Sequence, residues 1–204
     1  EKHSHVFILS DEIYEHIHYS GNHESIAQFQ SLNNRTIIIN GVSKAYAMTG
    51  WRIGWIAAPE KIASACVLLQ SQQTSGASSI SQKAALAAYK GGLYCVKEMR
   101  EAFERRRNTV VSLLKDIPGL NVSNPMGAFY VFPQCNSFFG KSYNGKTICS
   151  SSDLAMYLLE EAHVACVGGD AFGAPDYLRF SYATSDENLL KAMQWIKTAL
   201  AKLE

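Results

Sequence analysis

A lysine and an arginine stand close together in the chain with nothing to neutralise them. Lys44 follows Ser43 in the turn Asn40-Gly41-Val42-Ser43-Lys44, just after the β-branched run Thr36 to Ile39. Arg52 comes eight residues later, at the start of a second apolar run. An amine can attack a carbonyl carbon or carry a proton, and a guanidinium grips oxyanions through a two-pronged N–H fork. No Asp or Glu lies between the two cations in sequence, and a phosphate would explain both. Asp11 and Tyr14, spaced D-x-x-Y beyond the run Val6 to Leu9, offer a carboxylate and a phenol. Arg179 lies within Tyr177 to Tyr182, where Leu178, Phe180 and Tyr182 share one face of a strand and Arg179 and Ser181 the other.

The elements that must position these groups follow from the pattern. Thr36 to Asn40 shows no alternation, as expected of a strand buried on both faces of a mostly parallel sheet. Ligands of such sheets sit beyond the carboxyl ends of the strands, where Lys44 emerges. Eight residues are too few for the crossover that parallel neighbours require, so the strand after Arg52 is expected to run antiparallel. That direction returns Arg52 to the edge that carries Lys44. Val6 to Leu9 also reads as doubly buried and delivers Asp11 beyond its end, although an N-cap role accounts for Asp11 equally well when it is taken alone. His3, His5, His16, His18 and His23 crowd the same segment, but no Cys or further His is placed to complete a metal site. Solvated or hydrogen-bonded histidines are expected, and no metal.

Composition removes several functions. With 19 Lys+Arg against 18 Asp+Glu among 204 residues, the formal charge of +1 sets up no field for nucleic acid or an anionic membrane. Hydrophobic residues make up 47%, which fits a globular protein, and no stretch approaches the roughly 20 apolar residues of a membrane span. Cys66, Cys95, Cys135, Cys149 and Cys166 are odd in number and lack a C-x-x-C pair, which argues against a disulfide framework and a zinc cluster and points to a reducing cytoplasm. An inner strand at Val6 to Leu9 needs neighbours, yet only two further strands of its sheet follow. The chain is therefore expected to be the latter part of a longer one.

Beyond that sheet the sequence turns helical. Pro59 is expected at the first position of a helix striped by Ile62, Cys66, Leu69 and Gln73. Ser79-Ile80-Ser81-Gln82 reads as a capping box for a second helix that stops at Gly91-Gly92. Leu93 to Ile117 reads as one helix more than about 30 Å long, enough to leave one domain and enter another. The boundary is placed inside it, giving domains over residues 1–105 and 106–204. Arg105-Arg106-Arg107 points in several directions around that helix and reads as a solvated face. Strands are expected over Leu120 to Val122, Ala128 to Phe132, Val164 to Val167 and Tyr177 to Tyr182, with a loop over Gln134 to Ser150. Helices are expected from Ser152 to Ala162 and after Ser185-Asp186-Glu187, the last burying Leu189, Met193, Ile196 and Leu200. The second domain is thus α+β.

Taken together, Ser10-Asp11-Glu12-Ile13-Tyr14, Ser43-Lys44 through Trp51-Arg52-Ile53-Gly54, Gly127-Ala128-Phe129-Tyr130, Asp170-Ala171-Phe172-Gly173 and Leu178-Arg179-Phe180-Ser181 resemble the fold-type I pyridoxal-phosphate aminotransferases, class I/II, in particular the aspartate aminotransferase family. The resemblance implies an α/β chain: the carboxyl-terminal part of a three-layer αβα large domain, followed by a small α+β domain. It implies pyridoxal 5'-phosphate held as a Schiff base by Lys44, which then moves the substrate Cα proton. By the same resemblance Asp11 keeps the pyridine nitrogen protonated, Tyr14 hydrogen-bonds the phenolic oxygen, Ser43 and Arg52 hold the phosphate, and Arg179 clamps the substrate α-carboxylate. Aspartate and 2-oxoglutarate are the expected substrates, and a homodimer with shared sites the expected assembly. The family's glycine-containing phosphate loop, ring-stacking aromatic and second phenolic-oxygen contact lie upstream of the matched motifs, so this chain alone is expected to be inactive. Other expectations on the same scaffold are a transcriptional regulator's sensing domain, a β-lyase or cyclopropane-forming synthase, and an aromatic or kynurenine aminotransferase.

Overall fold

The computed structural model describes residues 2–204; Glu1, where the first domain is expected to begin, lies outside the described residues. The chain divides into two units between Arg100 and Glu101. In the first unit, β1 (Ile8–Asp11) pairs parallel with β2 (Thr36–Gly41), setting Asp11 opposite Ile39. β3 (Gly54–Ala57) pairs antiparallel with β2, setting Gly41 opposite Gly54, the direction the short interval after Lys44 demands. β2 is the central strand, and Thr36, Ile38 and Asn40 on it are buried.

The expectation that Val6 to Leu9 is doubly buried is not met. The strand lies two residues later, and Val6, Phe7 and Leu9 are exposed. β1 is hydrogen-bonded to β2 alone, and an apolar pattern buries only against a layer that is present. β3 likewise exposes all four of its residues. The first helix, α1 (Glu60–Gln73), also has no buried residue among the described ones, and Val67, Leu68 and Leu69 point outward. Pro59 precedes this helix as its N-cap instead of starting it. In α2 (Ser79–Lys90) the N-cap is Ser78, one residue earlier than the capping box places it. No side chain caps this end, and Gln82 Nε2 instead donates to the Ala77 carbonyl at 2.8 Å. Gly91 and Gly92 close the helix, Gly92 with φ 78°, where a side chain would be strained.

The division between units falls within α3 (Tyr94–Lys115). In the second unit Phe103, Val110 and Leu114 of this helix are buried. The Arg105-Arg106-Arg107 run is not a uniformly solvated face. Arg105 and Arg106 both pair with Asp186, at 3.1 and 3.0 Å, while Arg107 is buried and donates to the Pro125 carbonyl at 2.9 Å. Leu120 to Val122 forms a single bridge, from Asn121 to Gln134, instead of a strand. The sheet of this unit joins β4 (Tyr130–Val131), β8 (Leu178–Ser181) and β7 (Val167–Gly168), with β8 central and both neighbours antiparallel to it.

The expected loop over Gln134 to Ser150 contains a 3-10 turn, Asn136–Phe138, and a hairpin of β5 (Ser142–Tyr143) and β6 (Lys146–Thr147). Its turn is Asn144-Gly145 with φ of 49° and 77°, the positive pair that a two-residue hairpin needs. Two helices cover the sheet's core. α4 (Ser151–Ala162) is capped by Ser150, and α5 (Asp186–Leu200) by Ser185, whose side chain accepts from the Asn188 N–H. Leu189, Met193, Ile196 and Leu200 are buried together, as their spacing predicts.

Candidate active site

In the first unit, the carboxyl ends of β1 and β2 open into a cavity of about 440 Å³ lined by Asp11, Ile13, Ile39, Asn40, Ser43, Lys44, Thr49, Arg52, Ile53 and Gly54. The local fold explains the gathering. Asp11 ends β1, where its Oδ1 accepts the Ile13 N–H at 3.1 Å and turns the chain away from the sheet. The segment after β2 coils back on itself, with Tyr46 N–H donating to the Val42 carbonyl and Ala47 N–H to the Lys44 carbonyl, each at 3.2 Å. Ser43 and Lys44 are thereby held half-buried at the strand end. The Lys44 Nζ lies 5.8 Å from the centre of the Tyr14 ring, so Tyr14 stands beside the amine although it does not line the cavity.

Arg52 reaches the cavity through an unusual backbone. It takes a left-handed conformation with φ 50°, and its Nη1 donates to the Thr49 carbonyl at 2.8 Å. Two glycines then let β2 and β3 approach: a Cβ on Gly41 would lie 2.9 Å from Gly54 Cα and 3.0 Å from the Ile53 carbonyl oxygen. The cavity therefore offers an amine, a carboxylate, a hydroxyl and a guanidinium on one sheet edge. This donor set fits a small aromatic carrier with an aldehyde, a basic ring nitrogen and a phosphate.

In the second unit, Arg179 projects from the open face of β8, opposite the buried Leu178 and Phe180. Its Cζ lies 4.5 Å from the Tyr130 ring centre and 4.2 Å from that of Phe172. The glycine-rich loop before it does require close approach, since a Cβ on Gly169 would collide with the carbonyls of Ala174 and Tyr177.

The class I and II aminotransferase family model matches residues 1–196. The chain belongs to this family. It is 48% identical to an aspartate aminotransferase of Rhizobium meliloti (strain 1021) over 99% of this chain and 50% of that protein. It is 46% identical to a bifunctional aspartate aminotransferase and glutamate/aspartate-prephenate aminotransferase of Petunia hybrida, over 100% of this chain and 43% of that protein. Among solved structures, the Rhizobium meliloti aspartate aminotransferase superposes with a TM-score of 0.94 at 47% identity, covering all of this chain and 52% of that one. An aromatic aminotransferase of Pyrococcus horikoshii gives 0.87 at 38% identity, over 96% and 51%. The chain spans about half the length of these aminotransferases.

Sequence reasoning passed over several residues around this cavity. Asn40 is buried, its Nδ2 donates to Glu15 Oε1 at 2.8 Å, and its Oδ1 accepts the Gly41 N–H at 2.7 Å. It thus ties the turn after β1 to the strand that carries Lys44, and a lone amide directly after Ile37-Ile38-Ile39 was the available signal. Glu12 is buried and accepts from Ser25 at 2.8 Å and from Ser10 at 3.2 Å, with His23 Nε2 at 2.9 Å. Burial acts to raise the Glu12 pKa, but these hydrogen bonds together hold it below the ordinary value. Glu12, Glu15 and His23 have donor atoms within 4.8 Å of one another, yet each is already engaged in this network. All five cysteines are free thiols, and no helix among the described residues is long and apolar enough to cross a membrane.

Proposed function

We propose that the full-length protein is a cytoplasmic, pyridoxal 5'-phosphate-dependent aminotransferase that moves the amino group of aspartate to 2-oxoglutarate. The observation that carries this is the meeting of Asp11, Ser43, Lys44 and Arg52 around one cavity at the carboxyl ends of β1 and β2. When bound, the cofactor supplies an electron sink for the charge left on the substrate Cα after proton loss. Lys44 would hold the cofactor through its amine and, once the substrate amine has taken that place, would serve as the general base and acid for the Cα proton. Asp11 holds a proton on the ring nitrogen by its negative charge, and Tyr14 donates to the ring's phenolic oxygen. Ser43 and Arg52 hold the phosphate, Arg52 through two parallel N–H donors. Arg179 grips the substrate α-carboxylate and so orients the Cα–H bond, a positioning effect that reaches about 7 kcal/mol in favourable cases.

Residues 1–105 then correspond to the carboxyl-terminal part of a three-layer αβα large domain of fold type I, and residues 106–204 to the small domain. A homodimer with shared sites completes the assembly. The aspartate reading is supported by relatives named aspartate aminotransferases at 45% and 48% identity.

Borohydride treatment of the full-length protein with bound cofactor, followed by peptide mass mapping, is expected to leave the label on Lys44. A label on another lysine overturns the assignment. Steady-state kinetics with aspartate, glutamate, phenylalanine and prephenate as partners decide the substrate, and a higher kcat/KM for phenylalanine than for aspartate refutes the aspartate reading. Transamination by a polypeptide of these 204 residues alone would refute the expectation that they are inactive by themselves.

A further inference from the structure

Among the described residues no hydrogen bond or ion pair engages the Arg179 guanidinium, although the residue is half-buried. What contacts it instead is aromatic. Tyr130 reaches it across the sheet, since the β4–β8 register sets Tyr130 opposite Ser181, two residues along β8 on the same face. Phe172 comes from the separate 3-10 turn Gly169–Phe172, whose backbone is pinned where Gly169 N–H donates to the Tyr177 carbonyl at 2.8 Å and to Ser151 Oγ at 3.1 Å. Phe132 meets Phe172 edge-on at 6.0 Å and stacks on Tyr177 at 5.0 Å, which braces the ring from behind.

We propose that Tyr130 and Phe172 are positioning residues that hold Arg179 by their ring faces and leave its N–H edge open to a coplanar, two-oxygen anion. This rests on reading Arg179 as the α-carboxylate receptor and names what prepares it. The chemistry of the support is the argument. A carboxylate or carbonyl holding the arginine would occupy the same N–H donors that the ligand needs, and a carboxylate would also cancel the charge. A ring face attracts the cation through its quadrupole and consumes no donor. A carboxylate lies in the plane of the guanidinium and uses two parallel hydrogen bonds. A phosphonate or sulfonate places a third oxygen out of that plane, toward the rings. The receptor therefore favours carboxylates over tetrahedral oxyanions of the same charge.

The test uses the full-length protein and measures KM and kcat for aspartate, the dissociation constant of succinate, and the inhibition constant of the α-aminophosphonate analogue of aspartate. In Phe172→Leu and Tyr130→Leu, KM and the succinate constant are expected to rise about 2- to 30-fold, the range of one cation–π contact. In the same variants kcat stays within about threefold of the parent, and the preference for carboxylate over phosphonate narrows. Phe172→Trp and Tyr130→Phe, which keep a ring face, restore the parent values. Arg179→Lys separates the two levels of the claim. If it weakens succinate while both Leu variants bind succinate like the parent, the positioning role is overturned and the carboxylate role of Arg179 stands. If Arg179→Lys also binds like the parent, the reading of Arg179 itself falls.

Discussion

Replacing Gly41 by alanine tests whether the cavity depends on the close approach of β2 and β3. The added Cβ would meet Gly54 Cα at 2.9 Å and the Ile53 carbonyl oxygen at 3.0 Å. Both are backbone atoms of the facing strand, so no side-chain rotation relieves the contact and the strands must part by several tenths of an ångström. Overpacking of this kind costs about 1–3 kcal/mol and lowers the melting temperature accordingly. Arg52 lies two residues before Gly54 and moves with the strand. Loss of a charge-assisted hydrogen bond to phosphate is worth about 1.5–3 kcal/mol, which is roughly 10- to 100-fold in the cofactor dissociation constant. Thermal unfolding and cofactor titration of the full-length protein read both effects. Gly50→Ala is the control, because a Cβ there meets nothing within 4 Å and the change should be silent in both assays. A Gly41→Ala protein with the parent's melting temperature and cofactor affinity would refute the reasoning.

Removing the Asn40 side chain as alanine strands a buried Gly41 N–H and an acceptor of Glu15, and should cost about 1–3 kcal/mol in urea unfolding; Asn40→Asp, which sets a second carboxylate against Glu15, should be at least as damaging at neutral pH and recover partly in acid. Gly169→Ala should destabilise the second unit and weaken carboxylate binding together, since the new methyl collides with the Ala174 and Tyr177 carbonyls that fix the Phe172 turn. Hydrogen bonds from Arg105 and Arg106 hold the Asp186 pKa below the ordinary carboxylate value. The folded state therefore binds that proton less readily than the unfolded one, so the contribution is present above the ordinary carboxylate pKa and is lost as pH falls through the lowered one. The melting-temperature difference between the parent and Asp186→Asn should accordingly be largest near neutrality and vanish in acid; a difference independent of pH would refute the ion-pair account.

How much of this was legible in the sequence depended on whether a signal was local. The antiparallel return of Arg52 followed from an interval too short for a crossover, and the buried stripe of α5 from four residues at helical spacing with Ser185 before them. Both constraints act within a few turns of chain. The burial of Val6 to Leu9 was misjudged because an apolar run specifies a preference for a covering layer without supplying one. The capping box was misplaced by one residue because Ser78, Ser79 and Ser81 offer nearly equivalent caps. The hairpin at Asn144-Gly145 was overlooked although the dipeptide is a strong turn signal, because its flanking strands are two residues each and show no alternation. At the site, Lys44, Asp11 and Arg52 announced themselves by type and strand-end position. Asn40, Tyr130 and Phe172 did not, since an amide at the end of an apolar run, a strand tyrosine and a ring in a glycine-rich loop acquire meaning only from what lies across the sheet.

The five thiols divide sharply in reactivity. Cys66, Cys95 and Cys149 are exposed, whereas burial pushes the thiols of Cys135 and Cys166 up to about 12. Only thiolates react rapidly with disulfide reagents or alkylating agents. Both belong to the second unit: Cys135 is buried and donates to the Asp176 carbonyl at 3.2 Å, and Cys166 is half-buried. Under native conditions a thiol reagent should therefore consume the exposed cysteines first, Cys166 more slowly, and reach the buried Cys135 only when this unit opens. The last, slowest phase is a clock for that opening, written into the chain without any introduced probe.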